Sequence, residues 1–170
     1  MRRQLENLIE RLTKVTVQPP ADGRTPAVPG ASVLGELHAL RHRLPGLTGS
    51  LVASADGLPV AADLPPQVEP AGMAALTTSG LALSQRIALT VQDGGFQEVV
   101  IRATGGYVVT YAAGLVASLT VLAGPGVNVG RLHLESRPAA ARIAALLEEA
   151  GAAAPRPPPA EGPRHRRNRQ

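Results

Sequence analysis

The stretch QEVVIRATGGYVVTYAAGLVASLTVLAG, residues 97–124, constrains the fold more than any other part of the chain. It holds three runs rich in Val, Ile, Leu, Thr and Tyr, separated by Thr104–Gly106 and Gly114–Val116. Connections this short join neighbouring strands only in antiparallel fashion, because a parallel return needs a dozen residues or more. An antiparallel three-strand meander is therefore expected. A second stretch, LVASADGLPVAADL at 51–64, sets Asp56-Gly57 between two apolar arms. Asp-Gly accepts the positive φ values of a tight two-residue hairpin, so strands are expected at Leu47–Ser54 and Leu58–Ala62.

Helical patterns flank and divide these strands. Ser32 is placed to cap a helix carrying Val33, Leu34, Leu37 and Leu40 that stops before Pro45. Pro70 suits the first turn of a long helix running through AGMAALTTSGLALSQRIALTV and ending at Gln92–Gly95. Met73, Leu76, Leu83 and Ile87 share one face of it and are expected to meet the sheet. The loop GPGVNVG leads to a last helix over about 130–150, with Pro138 expected to kink or break it. On the first strand of the meander, Val99 and Ile101 are expected to point into the core. Five strands in one antiparallel sheet, with helices packed across it, make a two-layer α+β domain.

The compact domain is expected over 32–150. Residues 1–16 read as a short amphipathic helix, with Leu5, Leu8, Ile9, Leu12 and Val15 on one stripe, and 17–31 as a Pro-rich linker. Residues 151–170 read as a disordered tail rich in Pro and Arg. Five arginines against Glu161 in residues 156–170 account for the whole net charge of +4, so the rest of the chain is neutral. Such a tail gives weak, salt-sensitive attraction to phosphate and no base reading. With Phe96, Tyr107 and Tyr111 as the only aromatics, a platform for stacking bases is not expected, and no specific nucleic-acid partner follows. The tail and the leading helix are the two segments able to meet a membrane surface, although Glu6 and Glu10 weigh against strong insertion. The start of the chain is too charged for a signal peptide, and a cytoplasmic protein is expected.

The chemistry-bearing residues do not assemble into a catalytic pattern. GPGVNVG precedes a helix but matches neither phosphate-loop spacing, and Pro125 removes an amide donor. His38 and His42 share a helix face at a chelating distance, without a carboxylate pair beside them, so rim histidines are expected. No nucleophile elbow surrounds any serine. Nothing in these residues nominates a nucleophile, a cofactor or a metal. The central helix, by contrast, carries Ala74, Ala75, Thr78, Ser79, Gly80 and Ala82, small residues that let another backbone approach.

Taken in order, GLTGSLVASADGLPVAA, GMAALTTSGLALSQRI and the closing strands with their Gly/Asn turn resemble the roadblock/dynein light-chain domain family, over about Val33 to Leu147. The resemblance implies a non-enzymatic protein that forms a homodimer joined through the central helices and third strands. It implies a partner among small Ras-like GTPases, sometimes alongside a sensor histidine kinase. It places the partner platform on the central helix, at Ala75, Thr78, Ser79, Ala82 and Arg86. A small-molecule sensor of the PAS type is the alternative, since five antiparallel strands with flanking helices describe that class too; it would need a cavity lined by large apolar groups.

Overall fold

The computed structural model describes residues 29–91 and 95–153. The leading helix, most of the linker, the expected helix stop at 92–94 and residues 154–170 of the tail lie outside the described residues; residues 151–153, expected to be disordered, continue the last helix. The element order is α1 (Pro29–Arg43), β1 (Leu47–Ser54), β2 (Pro59–Asp63), α2 (Pro70–Val91), β3 (Glu98–Ala103), β4 (Gly106–Ala113), β5 (Ala117–Ala123) and α3 (Val129–Ala153). The strands form one antiparallel sheet in the order β2-β1-β5-β4-β3. The α+β class, the five strands and their meander are as the sequence indicates. The layer count needs amending, because helices cover both faces of the sheet.

On one face α1 and α3 pack side by side. Val33, Leu37 and Leu40 of α1, and Leu44 just past its end, recur at spacings of three and four and are all buried. They meet Leu132, Ala139, Ala140 and Ile143 of α3, and Val52, Val109, Tyr111, Leu119 and Val121 of the sheet, in the main core. On the other face α2 covers a smaller cluster of Leu51, Ala53 and Ala74. Leu51 and Val52 are sequence neighbours and so point to opposite faces, which assigns each cluster its side.

Three local features differ from expectation, each for a physical reason. The helix α1 begins at Pro29, three residues before Ser32, because proline's fixed φ and missing N–H suit a first helical position. The helix α3 runs unbroken through Pro138. Pro138 and Leu134 are both exposed, so the carbonyl that proline leaves without a donor faces solvent. The β1–β2 connection is not a two-residue hairpin. Gly57 alone has positive φ, +82°, and its N–H bonds to the Ser54 carbonyl at 2.9 Å. Asp56 instead accepts the Ser54 hydroxyl, whose oxygen in turn accepts the Leu58 N–H at 3.1 Å. The side chain thus ties the turn from within.

An ion network clasps α1 to α3. Arg142 and Arg43 both reach Glu36 Oε1, at 2.6 and 3.0 Å, and Arg43 also reaches Glu135 at 3.1 Å. Arg131 donates to the Arg43 carbonyl at 2.9 Å, capping the end of α1. Pairing 36 with 142 and 43 with 135 requires the two helices to run antiparallel.

Two outcomes follow. Gly106 has φ +139°, and a Cβ there would lie 2.0 Å from the Ala123 carbonyl oxygen. Gly106→Ala should therefore cost at least ~2 kcal/mol in urea unfolding, through backbone strain and collision with backbone. Burial pushes the Glu36 carboxyl up, but the bonds from Arg142 and Arg43 outweigh it and hold the group below its ordinary 4.5. A folded value below the unfolded one adds stability above about that pH, and the gain is lost as pH falls through the folded value. Glu36→Gln should remove this part of the acid limb, leaving a shallower loss of melting temperature below pH 4.5 than the parent shows.

Candidate interaction surface

The chain gives α2 a firm start. The Glu69 carboxylate accepts the Ala71 N–H at 2.8 Å and also the Gly72 N–H, and these bonds hold it below the ordinary carboxylate range. Pro70 opens the helix. From there Ala74 and Thr77 are buried, and Leu81, Ser84 and Ala88 are half-buried. Their spacings of three, four, three and four mark the stripe that faces the sheet. Beneath it the register puts Leu51 opposite Thr120, Ala53 opposite Ser118 and Thr110 opposite Thr120. Thr110 and Thr120 hydroxyls bond each other at 3.1 Å, and Thr77 bonds back to the Met73 carbonyl at 2.8 Å. The contact is small and partly polar, so helix and sheet sit close.

The expected orientation of α2 is thereby corrected. Leu76, Leu83 and Ile87 do not face the sheet; they are 73%, 62% and 56% exposed, and Met73 alone of the four is half-buried against the smaller cluster. The physical reason lies in the sheet face. Ala74 and Thr77 on the helix suit Ala53, Ser118 and Thr120 on the strands, and Leu81, half-buried one turn on, is the large side chain of the stripe. Of the expected platform residues, Ala75, Ser79, Ala82 and Arg86 are exposed as anticipated. Thr78 is half-buried, with its hydroxyl buried and unbonded, and its Cβ lies 3.9 Å from where a Gly57 Cβ would stand. It belongs to the contact between α2 and the β1–β2 turn.

A second apolar feature adjoins the first. The strand β3 is an edge, paired with β4 on one side only. Its Ile101 is 53% exposed and Val100 is exposed too, so Ile101 does not reach the core. The register places Val99 and Ile101 on the face of the sheet that α2 covers, since Val99 pairs with Thr110. Glu98, on the other face, is held to α3 by Arg137 at 2.6 and 3.1 Å, with His133 3.6 Å away. His133 also bonds the buried Tyr111 hydroxyl at 2.8 Å, and burial pushes the Tyr111 phenol well up. These contacts pin the edge strand while leaving its outer hydrogen-bonding groups open. The edge has no proline, and between its charged Glu98 and Arg102 it exposes Val100 and Ile101, apolar groups that a pairing strand can cover.

The remaining candidates are accounted for locally. His38 and His42 are exposed on α1, as rim histidines. In GPGVNVG the Asn128 side chain accepts the Arg131 N–H at 2.9 Å, an ordinary helix cap that uses an amide an anion would need. Among the described residues no three His, Asp or Glu side chains gather as a metal site, and no helix is long and apolar enough to cross a membrane. Two surface hollows, of about 210 and 480 Å3, are open and lie around Tyr107 at the β3–β4 turn. Arg102 lies over the Tyr107 ring at 5.8 Å there.

Comparison with known proteins adds a family. The family model of the Roadblock/LC7 domain matches residues 33–123, more than half of the chain. An uncharacterized protein of Methanocaldococcus jannaschii is 28% identical over 102 residues, covering 60% of this chain and 89% of that one. The Roadblock/LC7 domain from Streptomyces avermitilis superposes with a TM-score of 0.63 at 23% identity, covering 68% of this chain and 97% of its own. MglB, solved in a tetrameric arrangement, superposes at 0.66 with 23% identity, covering 78% and 99%. The orientation of α2 can be checked by substitution. Ala74→Leu adds apolar volume yet should cost ~1–3 kcal/mol by overpacking the close helix–sheet contact. Leu76→Ala should change unfolding free energy by under ~0.5 kcal/mol in dilute solution. The reverse ranking in urea denaturation would mean that Leu76 faces the sheet.

Proposed function

The chain belongs to the Roadblock/LC7 domain family, and from that premise we propose that it is a non-enzymatic homodimeric scaffold or regulator that binds a small Ras-like GTPase in a signalling system. The observation that carries the reading is the outward apolar stripe Leu76, Leu83 and Ile87, on the same face of the sheet as Ile101 at the open β3 edge. A monomer in water has no use for such a surface, whereas a second copy removes it from solvent and pairs the edge. A two-fold axis beside β3 lets both features meet their own copies at once. The tetrameric arrangement recorded for MglB supports self-association in proteins of this fold.

The platform for the GTPase is then the part of α2 that self-association leaves open. Ser79 and Arg86 point directly away from the sheet, seven residues apart on the same side, with Ala75 and Ala82 beside them. Arg86 is the one full charge on the helix and supplies a guanidinium of the kind favoured at the centres of interfaces. The sensor-histidine-kinase connection and a cytoplasmic setting come with the family reading.

The two halves of the proposal separate experimentally. Sedimentation of the full chain should show a dimer at micromolar concentration, and Leu83→Asp should shift it to monomer with unchanged circular dichroism. Arg86→Glu should keep the dimer but weaken binding to a cognate small GTPase by ~2 kcal/mol, read by titration calorimetry. A monomeric parent chain would defeat the first half, and undiminished affinity in Arg86→Glu would remove Arg86 from the platform.

A further inference from the structure

Leu115 is 97% exposed, more than any other large apolar side chain described. It lies in the β4–β5 turn beside Val116, which is exposed as well. The β1–β2 turn ends at the same end of the sheet, because β1 pairs with both β2 and β5 and the Val116 carbonyl accepts the Ala55 N–H at 2.8 Å. That turn presents Leu58, exposed too. Leu58, Leu115 and Val116 thus form an apolar end to the domain. This end adjoins the first turns of α2, where Gly57 stands close to Ala75, but none of its three apolar residues belongs to the Leu76, Leu83 and Ile87 stripe or to β3.

The chain enters the domain at this same end. The turn after α1 is short, with the Leu47 N–H bonded to the Leu44 carbonyl at 3.2 Å, so α1 runs back along β1 from its start. The ion pairs Glu36–Arg142 and Arg43–Glu135 set α1 antiparallel to α3, which brings Pro29 alongside residues near Glu148. Gly114 lies there also, its added Cβ 3.4 Å from a Glu148 carboxylate oxygen. The first turn of α1 and the β4–β5 turn therefore share one end of the molecule.

The segment that precedes α1 has the matching chemistry. Leu5, Leu8, Ile9 and Leu12 recur at three, four and seven residues, the pattern of a narrow apolar helix face. Thirteen residues, 16–28, separate Val15 from Pro29. At ~3.1 Å per residue in a proline-rich extended form they span up to ~40 Å, ample for a return to the same end. We infer that residues 3–15 of the same chain fold back as a helix and cover Leu58, Leu115 and Val116, so that the leading segment is an intramolecular cap on the open end of the sheet. The alternative resting place, the α2 stripe, lies on the face of the sheet away from α1 and is continuous with the edge that a second copy would pair.

The chain contains no cysteine, so paired cysteines report proximity without background. In the full chain, Leu8→Cys with Leu115→Cys should close an intramolecular disulfide under mild oxidation. It should do so at least ~10-fold faster than Leu8→Cys with Gly126→Cys, an exposed and uncrowded position after β5 at the opposite end of the sheet, where the tether alone sets the effective concentration. Equal rates, no bond at 115, or a bond between two chains would each overturn the inference, the last by making a second copy the occupant. Hydrogen exchange of the unmodified chain gives an independent reading. Amides of residues 5–15 should exchange at least ~10-fold more slowly than in the isolated peptide, and Leu115→Ser with Leu58→Ser should abolish that slowing. Unprotected amides in the unmodified chain would equally overturn it.

Discussion

The two faces of the sheet are furnished unequally, and the placement of the helices follows from this. One face presents Val52, Val109, Tyr111, Leu119 and Val121, large enough to hold two helices at ordinary packing distance. The other presents Leu51, Ala53, Thr110, Ser118 and Thr120 across its central strands. A helix reaches dispersion contact with such a shallow surface only by bringing its own small residues to it. That is why Ala74 and Thr77 point inward on α2, and why Leu76, Leu83 and Ile87 have no place in the domain that carries them.

An apolar stripe displaced from the core has a cost in water that a solitary domain would not retain. Beside it lies an edge strand whose Glu98 is held to α3 by Arg137, while Val100 and Ile101 stand open. A pinned edge offers its N–H and C=O groups in a fixed geometry, which lowers the entropy lost when a neighbour adds to it. The same helix shows Ser79 and Arg86 directly away from the sheet. One element therefore bears three surfaces at about 100° intervals: one for its own sheet, one apolar, and one small and polar with a single guanidinium.

The fold was legible in the sequence to the extent that turns and periodicity speak for it. The Gly-bounded runs predicted β3, β4 and β5, and Asp56-Gly57 located the first hairpin, although the turn it forms has Gly57 alone in the left-handed region. The stripe Val33, Leu37 and Leu40 pointed correctly to the core. The same reasoning misplaced Leu76, Leu83 and Ile87. Two stripes run along α2, one large and apolar and one small, and periodicity by itself favours burying the first. Thr77, Ser84 and Ala88 were the available signal, since their spacings of seven and four repeat those of Leu76, Leu83 and Ile87. Pro138 misled for a related reason: its effect depends on whether the carbonyl it strands faces protein or solvent.

The sequence by itself determined the element order, the antiparallel pairing, the aliphatic character of the core and the family to which the chain belongs. Each rests on nearest-neighbour chemistry: short Gly turns, proline at helix starts, alternation along a strand. Tertiary structure decided which side of each element meets which neighbour. The direction of the α2 leucines, the exposure of Ile101, the antiparallel clasp of Glu36 with Arg142 and the shared end of Leu58, Leu115 and Pro29 all depend on the order β2-β1-β5-β4-β3. That order joins residues dozens of positions apart, and no local pattern in the chain encodes the size of the side chains waiting on the opposite surface.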